Sequence, residues 1–227
     1  MGELIEDIAL RGKPFIFRDR PEAGKLLAEA LSDYESSGAI VLAIPAGGVP
    51  VAFEIARRLR LLMDVAIVRK IQIPGNTEAG FGAMGPDGEV IFNESLLRTL
   101  GLTKEEIQQQ ADKTREVLEA RDRLYRGGRL FPDLSGKDVI LVDDGLASGY
   151  TMSEAIKFAK RKYAKKIIVA APTASDSSIN LILPLADKLY CLNIRGYPFA
   201  VAGAYERWYD LSDEEVISLL KDIRESR

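Results

Sequence analysis

The sequence predicts an α/β fold: a doubly wound, mainly parallel five-stranded sheet with helices on both faces, plus a small β-hairpin, a flexible loop and a C-terminal hood. Three observations lead there. Short apolar runs rich in Val, Ile and Leu recur at 39–45, 64–68, 139–143, 166–171 and 188–194. Their lack of polar alternation is what strands buried on both faces require. Segments with apolar residues at three- and four-residue spacing lie between them, as helices covering such a sheet need. The 227 residues suit one large domain over 1–227, with a core at about 21–194 and a hood built from 1–20 and 195–227.

In chain order, residues 11–20 mix Pro14, Phe15, Phe17 and charges without a period, and read as an N-terminal arm or a short edge strand. Pro21 opens a helix whose apolar face is Ala23, Leu26, Leu27, Ala30, Leu31 and Tyr34, ended by Ser36, Ser37 and Gly38. The first central strand, 39–45, exits through Ala46, Gly47, Gly48 and Val49 into a helix marked by Val51, Ala52, Ile55, Ala56 and Leu59. The strand at 64–68 delivers Arg69 and Lys70 at its end, and 71–80, with Pro74, Gly75 and Gly80, reads as a mobile loop. Residues 80–85 spell GxGxxG. A loop precedes that motif and the Pro86-Asp87-Gly88 turn follows it, whereas a dinucleotide site needs a strand before and a helix after. A hairpin of 82–84 with 89–92 fits better. Residues 93–100 form a short helix, and Thr103 with Glu106 makes a capping box for a long one reaching about Tyr125. Ile107, Ala111, Thr114, Leu118 and Tyr125 share its apolar face, and the rest is charged. A loop over 126–137 leads to the strand at 139–143, and Met152, Ala155, Ile156 and Ala159 mark the helix behind it. After the strand at 166–171, residues 172–176 cap a helix to about Ala186. An aromatic tail, 196–211, follows the last strand, and Ser212 with Glu215 caps a terminal helix carrying Val216, Leu219, Leu220 and Ile223.

Composition removes several function classes. The net charge of -3 gives a nucleic-acid partner no global support. The absence of histidine removes His-based triads, His acid/base work and most zinc sites. Cys191, the one cysteine, cannot form an internal bridge and reads as a buried thiol of a reducing compartment. No signal sequence or membrane-length apolar run is seen, which points to a cytoplasmic protein. Chemistry must rest on carboxylates, Lys, Arg, Tyr, hydroxyls or a hard cation.

The best candidate is the segment after the strand at 139–143. Asp143 and Asp144 end the strand, Gly145, Ser148 and Gly149 allow a tight loop, and Thr151 opens the next helix. Amides at such a loop converge, and the helix dipole favours a phosphate dianion there. Ionised carboxylates only accept hydrogen bonds, so the acidic pair suits a ribose 2′,3′-diol or a magnesium ion shared with it; the whole element suits a ribose 5-phosphate. The loop Ala46, Gly47, Gly48, Val49 lets amides approach an anion, although a tight turn accounts for it as well. Arg69 and Lys70 suit a polyphosphate or form a solvated basic pair. A P-loop kinase would need GxxxxGK[ST], which does not occur.

The run Asp143, Asp144, Gly145, Leu146, Ala147, Ser148, Gly149, Tyr150, Thr151 resembles the signature of the type I phosphoribosyltransferases: two acids, three variable positions, Thr or Ser, Gly, any residue, Thr. The order of pieces resembles stand-alone bacterial and archaeal members of unsettled substrate. The resemblance implies transfer of ribose 5-phosphate from phosphoribosyl pyrophosphate to a nitrogenous base, with pyrophosphate released and Mg2+ as cofactor. It implies that the nine residues from Asp143 to Thr151 bind ribose 5-phosphate. Ala46, Gly47, Gly48, Val49, Arg69 and Lys70 would bind pyrophosphate. Asp143, Asp144, Arg69 and Lys70 would be catalytic, with the two acids meeting the metal through water or substrate. Phe199, Trp208 or Tyr209 would hold the base, unless they pack over the sheet edge. The loop at 71–80 would close over the reaction. The implied setting is nucleotide salvage by a cytoplasmic homodimer, without nucleic acid or membrane partners. Members acting on 6-oxopurines usually carry an acid immediately before the loop's Thr or Ser; Ala147 stands there, which disfavours hypoxanthine and guanine. The rival is a non-catalytic regulatory protein that binds phosphoribosyl pyrophosphate or a nucleotide; the basic pair and the loop favour the enzyme.

Overall fold

The computed structural model describes residues 2–225, leaving out the side chains of Thr77 and Glu78. Along the chain run β1 (Glu3–Glu6), α1 (Arg20–Ala30), β2 (Ile40–Ala43), α2 (Gly48–Leu59) and β3 (Leu62–Val65). Then come β4 (Arg69–Ile73), β5 (Asn76–Met84), β6 (Val90–Phe92), α3 (Glu94–Leu100) and α4 (Lys104–Arg126). The chain continues with β7 (Asp138–Val142), α5 (Tyr150–Arg161), β8 (Lys166–Ser175), α6 (Asp176–Ile182), β9 (Lys188–Arg195) and α7 (Asp213–Glu225). Among the described residues no helix is long and apolar enough to cross a membrane.

Six parallel strands stand in the order β1-β9-β8-β7-β2-β3. From β2 the chain builds outward to β3, and from β7 it builds the opposite way through β8 and β9. The order therefore reverses between β2 and β7, where ligands of open α/β sheets bind. Those strands run in register, Ala43 opposite Val142, so the residues after each leave the sheet side by side.

The residue pattern explains why helices cover both faces. On β2, β7, β8 and β9, residues Val41, Ala43, Ile140, Val142, Ile168, Ala170, Tyr190 and Leu192 enter one core. Alternate residues Ile40, Leu42, Val139, Leu141, Ile167, Val169, Leu189 and Cys191 enter the other. Helices α1, α2, α4 and α7 contribute Leu27, Ile55, Leu118 and Leu220 to the first core, and α5 and α6 contribute Ile156 and Ile182 to the second. Because each strand buries both faces, its sequence is continuously apolar. The long helix is anchored by Arg126, which pairs with Asp64 of β3 at 3.0 Å and is oriented by Asp122 of its own helix at 2.8 Å.

Four expectations change. The main sheet has six strands because β1 adds to the edge of β9 with Glu3 opposite Lys188. Only Leu4 and Ile5 are apolar there, too few to mark a strand. Residues 71–80 are a hairpin rather than a loop: Pro74 and Gly75 make its turn, and β4 pairs antiparallel with β5. Register shifts at Ile71/Gln72 and Gln72/Ile73 break the two-residue alternation that would have betrayed it. The expected hairpin of β5 with β6 is present, Gly82 opposite Phe92, as part of this three-stranded sheet. Arg69 and Lys70 consequently begin β4 instead of ending β3, which stops at Val65. Strand β8 runs through Pro172 to Ser175, paired with β9 as far as Arg195, so only Ser175 acts as the cap of α6.

Candidate active site

Five helices begin with a side-chain cap: Asp19 for α1, Asn93 for α3, Thr103 for α4, Ser175 for α6 and Ser212 for α7. Helices α2 and α5 have Gly47 and Gly149 in the cap position, and among the described residues no side chain caps their first amides. Both follow the central strands β2 and β7, so two uncapped positive helix ends share the switch point. In α2 the Gly48 and Val49 amides donate to the Ile44 and Ala46 carbonyls and Pro50 has no N–H, so amides for an anion come from the loop before α2 and from the first turn of α5, at the positive end of its dipole.

The loop before α5 is pinned from behind. The Leu146 amide donates to the Thr173 carbonyl at 2.9 Å, and the Ser175 amide donates to the Leu146 carbonyl at 3.0 Å. The Ser178 hydroxyl also donates to Leu146 O, and the Ser175 hydroxyl to Ala147 O. The Leu146 side chain is buried in the core. Gly149 takes φ +79°, where a side chain is strained.

A cavity of about 340 Å³ opens at this edge. Pro45 and Gly47 of the first loop line it together with Asp143, Asp144 and Thr151 of the second, and Arg69, Lys70 and Arg121 complete the wall. The two loops touch. A Cβ on Gly47 would lie 1.9 Å from Asp144 Oδ2, and one on Gly48 would lie 2.6 Å from the Val142 carbonyl. Both glycines are therefore needed for the close approach of the loop to the acidic pair, in addition to any ligand. The Pro45–Ala46 peptide is cis.

The acids occupy different environments. Asp143 accepts from the Asp144 amide at 2.8 Å. Asp144 Oδ2 accepts from Arg20 Nε at 2.8 Å. Burial, then the neighbouring Asp144 charge, pushes the Asp143 carboxyl well above its usual range. Burial also raises Asp144, but Arg20 opposes the rise. Burial and then Arg121 draw Arg69 below the usual arginine value. Two acids and three cations thus line one small space.

The family model described as phosphoribosyl transferase domain matches residues 20–194. The chain belongs to the phosphoribosyltransferase family. Two Mycobacterium tuberculosis proteins, each named "putative phosphoribosyl transferase", are 35% identical over 205 residues, 90% of this chain and 46% of theirs. The chain thus spans about half the length of the curated relatives it matches. The crystal structure of TT1426 from Thermus thermophilus matches with a TM-score of 0.76 at 36% identity, covering 91% of this chain and 98% of that one.

Of the residues expected from the sequence, Gly47, Arg69, Lys70, Asp143, Asp144 and Thr151 meet in this cavity. Ala46, Gly48 and Val49 supply the adjoining backbone, with Val49 buried. Gly145 abuts Val201: an added Cβ would lie 2.5 Å from its Cγ1. Ala147 and Ser148 are exposed and Tyr150 starts α5. Phe199, Trp208 and Tyr209 are not in the cavity wall. Phe199 faces Arg195 at 5.6 Å, and the Tyr209 hydroxyl donates to Glu215. Trp208 stacks on Arg20 at 3.9 Å. A second cavity, about 490 Å³, lies on the other side of Arg20 between α1, α2 and α7.

Three residues of the site were not foreseen: Arg121, Arg20 and Tyr205. Arg121 is one charge among many on α4 and nothing in the local pattern separates it. Arg20 ends the aperiodic stretch 11–20 that reads as an arm or edge strand, yet it is 5% exposed. Tyr205, in the aperiodic tail, donates from its hydroxyl to the Asp144 carbonyl at 2.6 Å.

Proposed function

We propose that this phosphoribosyltransferase domain transfers ribose 5-phosphate from phosphoribosyl pyrophosphate to a nitrogenous base and releases pyrophosphate. The observation that carries the reading is the convergence of the glycine loop before α2, the uncapped start of α5, three cations and two carboxylates on one cavity. Each group answers a different part of that substrate. The α5 start and Thr151 take the 5-phosphate, which suits amide and hydroxyl donors. Asp143 and Asp144 accept from the ribose hydroxyls. The loop at Ala46 and Gly47, with Arg69, Lys70 and Arg121, takes the pyrophosphate, where opposite charge is most needed.

In the reaction the bond from the anomeric carbon to pyrophosphate breaks, and its electron pair leaves with pyrophosphate. The acceptor nitrogen supplies the pair of the new bond, and its proton passes to the departing pyrophosphate or to water. Charge grows on the leaving group, so fixed cations and amides there lower the barrier, while the acids hold the ring in line.

Magnesium fits the donor set in one way only. Asp143 and Asp144 line the cavity, and among the described residues no three acidic or Cys side chains cluster as a metal cage. Such a pair suits an ion that keeps several waters and shares oxygens with its substrate. Asp143 and Asp144 would hold it, and the ion would neutralise pyrophosphate charge.

Ala147 leaves the acceptor class open to pyrimidines, adenine-like bases or another amine, and weighs against hypoxanthine and guanine. The test is to incubate the protein with magnesium and phosphoribosyl pyrophosphate, add a panel of bases, and follow pyrophosphate. Release that depends on one base is expected, together with a matching nucleoside monophosphate. Tight binding of phosphoribosyl pyrophosphate with no release for any acceptor would overturn catalysis in favour of a regulatory ligand-binding role.

A further inference from the structure

Arg20 joins the sugar corner of the cavity to the C-terminal tail. Its side chain is buried, its Nε donates to Asp144 Oδ2 at 2.8 Å, and its Nη1 donates to the Tyr209 carbonyl at 2.8 Å. The indole of Trp208 covers the guanidinium at 3.9 Å. Meanwhile Tyr205 donates to the Asp144 carbonyl. The tail is itself laid along the residues preceding α1: the Glu206 amide donates to Phe17 O at 2.8 Å and the Arg207 amide to Arg18 O at 2.9 Å. Both the side chain and the main chain of Asp144 are therefore held by groups that residues 205–209 supply or support.

We propose that Arg20 is a positioning residue for Asp144, and that the tail segment 205–209 completes the ribose site through it, with Trp208 as the backing. The inference rests on the sugar-phosphate reading above. With Oδ2 committed to Arg20, the remaining Asp144 oxygen has one orientation in which to accept from a sugar hydroxyl. The guanidinium charge also offsets the repulsion between two adjacent carboxylates. A planar fork can bond a carboxylate and a carbonyl at once while stacking on an aromatic face; a lysine ammonium cannot reproduce that.

The test measures binding of ribose 5-phosphate, 2-deoxyribose 5-phosphate and inorganic phosphate to the full chain by calorimetry. A hydroxyl bonded to a charged acceptor should give the native protein a preference for ribose over deoxyribose of about 10-fold or more. In Arg20→Gln that preference should fall to about 2-fold with phosphate affinity unchanged, and Arg20→Lys should lie between. Trp208→Phe should keep the preference, and Trp208→Ala should lose part of it. If Arg20→Gln does not fold, Trp208→Ala decides, since that side chain lies at the surface. Because Trp208 is the sole tryptophan, its emission should change when ribose 5-phosphate binds the native protein and stay constant with phosphate alone. An undiminished ribose preference in Arg20→Gln, or an equal loss for all three ligands, overturns the positioning role and leaves the sugar-phosphate reading standing. Failure of the native protein to bind any of the three overturns that reading and this inference together.

Discussion

Adding one methyl group at Gly47 separates two explanations of why glycine stands there. Its backbone sits at φ -59° and ψ -34°, which any residue adopts, so conformation alone predicts that Gly47→Ala is harmless. Space predicts otherwise. The new Cβ would lie 1.9 Å from Asp144 Oδ2 and 2.4 Å from its Cγ, inside the 3.0 Å that real Cβ atoms keep. The carboxylate cannot swing aside freely because Arg20 holds the same oxygen at 2.8 Å. Relief means either overpacking, about 1–3 kcal/mol, or breaking a hydrogen bond to a charged group, about 1.5–3 kcal/mol. A loss of about 2–3 kcal/mol is expected, and in a chain of this size each kcal/mol lowers Tm by about 2–4 °C. The assay is a double-mutant cycle by urea unfolding. In an Asp144→Ala background the obstacle is gone, and Gly47→Ala should cost less than about 0.5 kcal/mol. Gly48→Ala is the control. Its Cβ would meet main-chain atoms of Val142 and Asp143 at 2.6 and 2.9 Å, so its cost should persist in both backgrounds. An unchanged stability for Gly47→Ala, or the same loss with and without the Asp144 carboxylate, would refute the steric argument.

Arg121→Gln should weaken phosphoribosyl pyrophosphate binding by about 10-fold, one charge-assisted bond. It should barely move the unfolding midpoint, since its ion pair with Asp213 is long and partly exposed; unaltered KM and binding would remove Arg121 from the site. Burial raises the Asp87 carboxyl, but Arg161 outweighs it and the net shift is downward. A depressed folded pKa means that this contribution is present above the ordinary Asp value, about 3.9, and is lost as pH falls through the lower folded value. Stability should therefore drop less steeply over that acid range in Arg161→Gln, and parallel acid profiles would count against the pairing. Burial pushes the Cys191 thiol up to about 12. It should stay protonated and unlabelled by iodoacetamide at neutral pH in the native protein, and react when urea unfolds it. Fast labelling of the native chain would contradict the burial.

Where local chemistry alone decides an element, the residues announce it. Thr103 and Glu106 bond reciprocally as a capping box, Asp19 and Pro21 start α1, and the continuous apolar runs are central strands. The runs lose clarity where pairing overrides pattern. Bulges hide β4, an edge position lets β1 form from two apolar residues, and Pro172 lies inside β8 because β9 pairs with it on both sides of that position.

By itself the sequence determined the doubly wound class, the strand-loop-helix unit from Asp143 to Thr151, the glycine loop after β2 and the basic pair at Arg69 and Lys70. These are short-range features whose spacing and residue type carry their own physical reason. Tertiary structure decided what they meet. The reversal of strand order brings the ends of β2 and β7 together, so the glycine loop rests on the acidic pair and Gly47 answers to Asp144. Packing of α4 against the small sheet adds Arg121 as a third cation. Packing of α1 on α2 and the sheet brings Arg20 to Asp144, 124 residues away, and the tail covers the contact. Such contacts depend on how whole elements pack and leave no local period in the chain, which is why Arg20, Arg121 and Tyr205 came from coordinates alone.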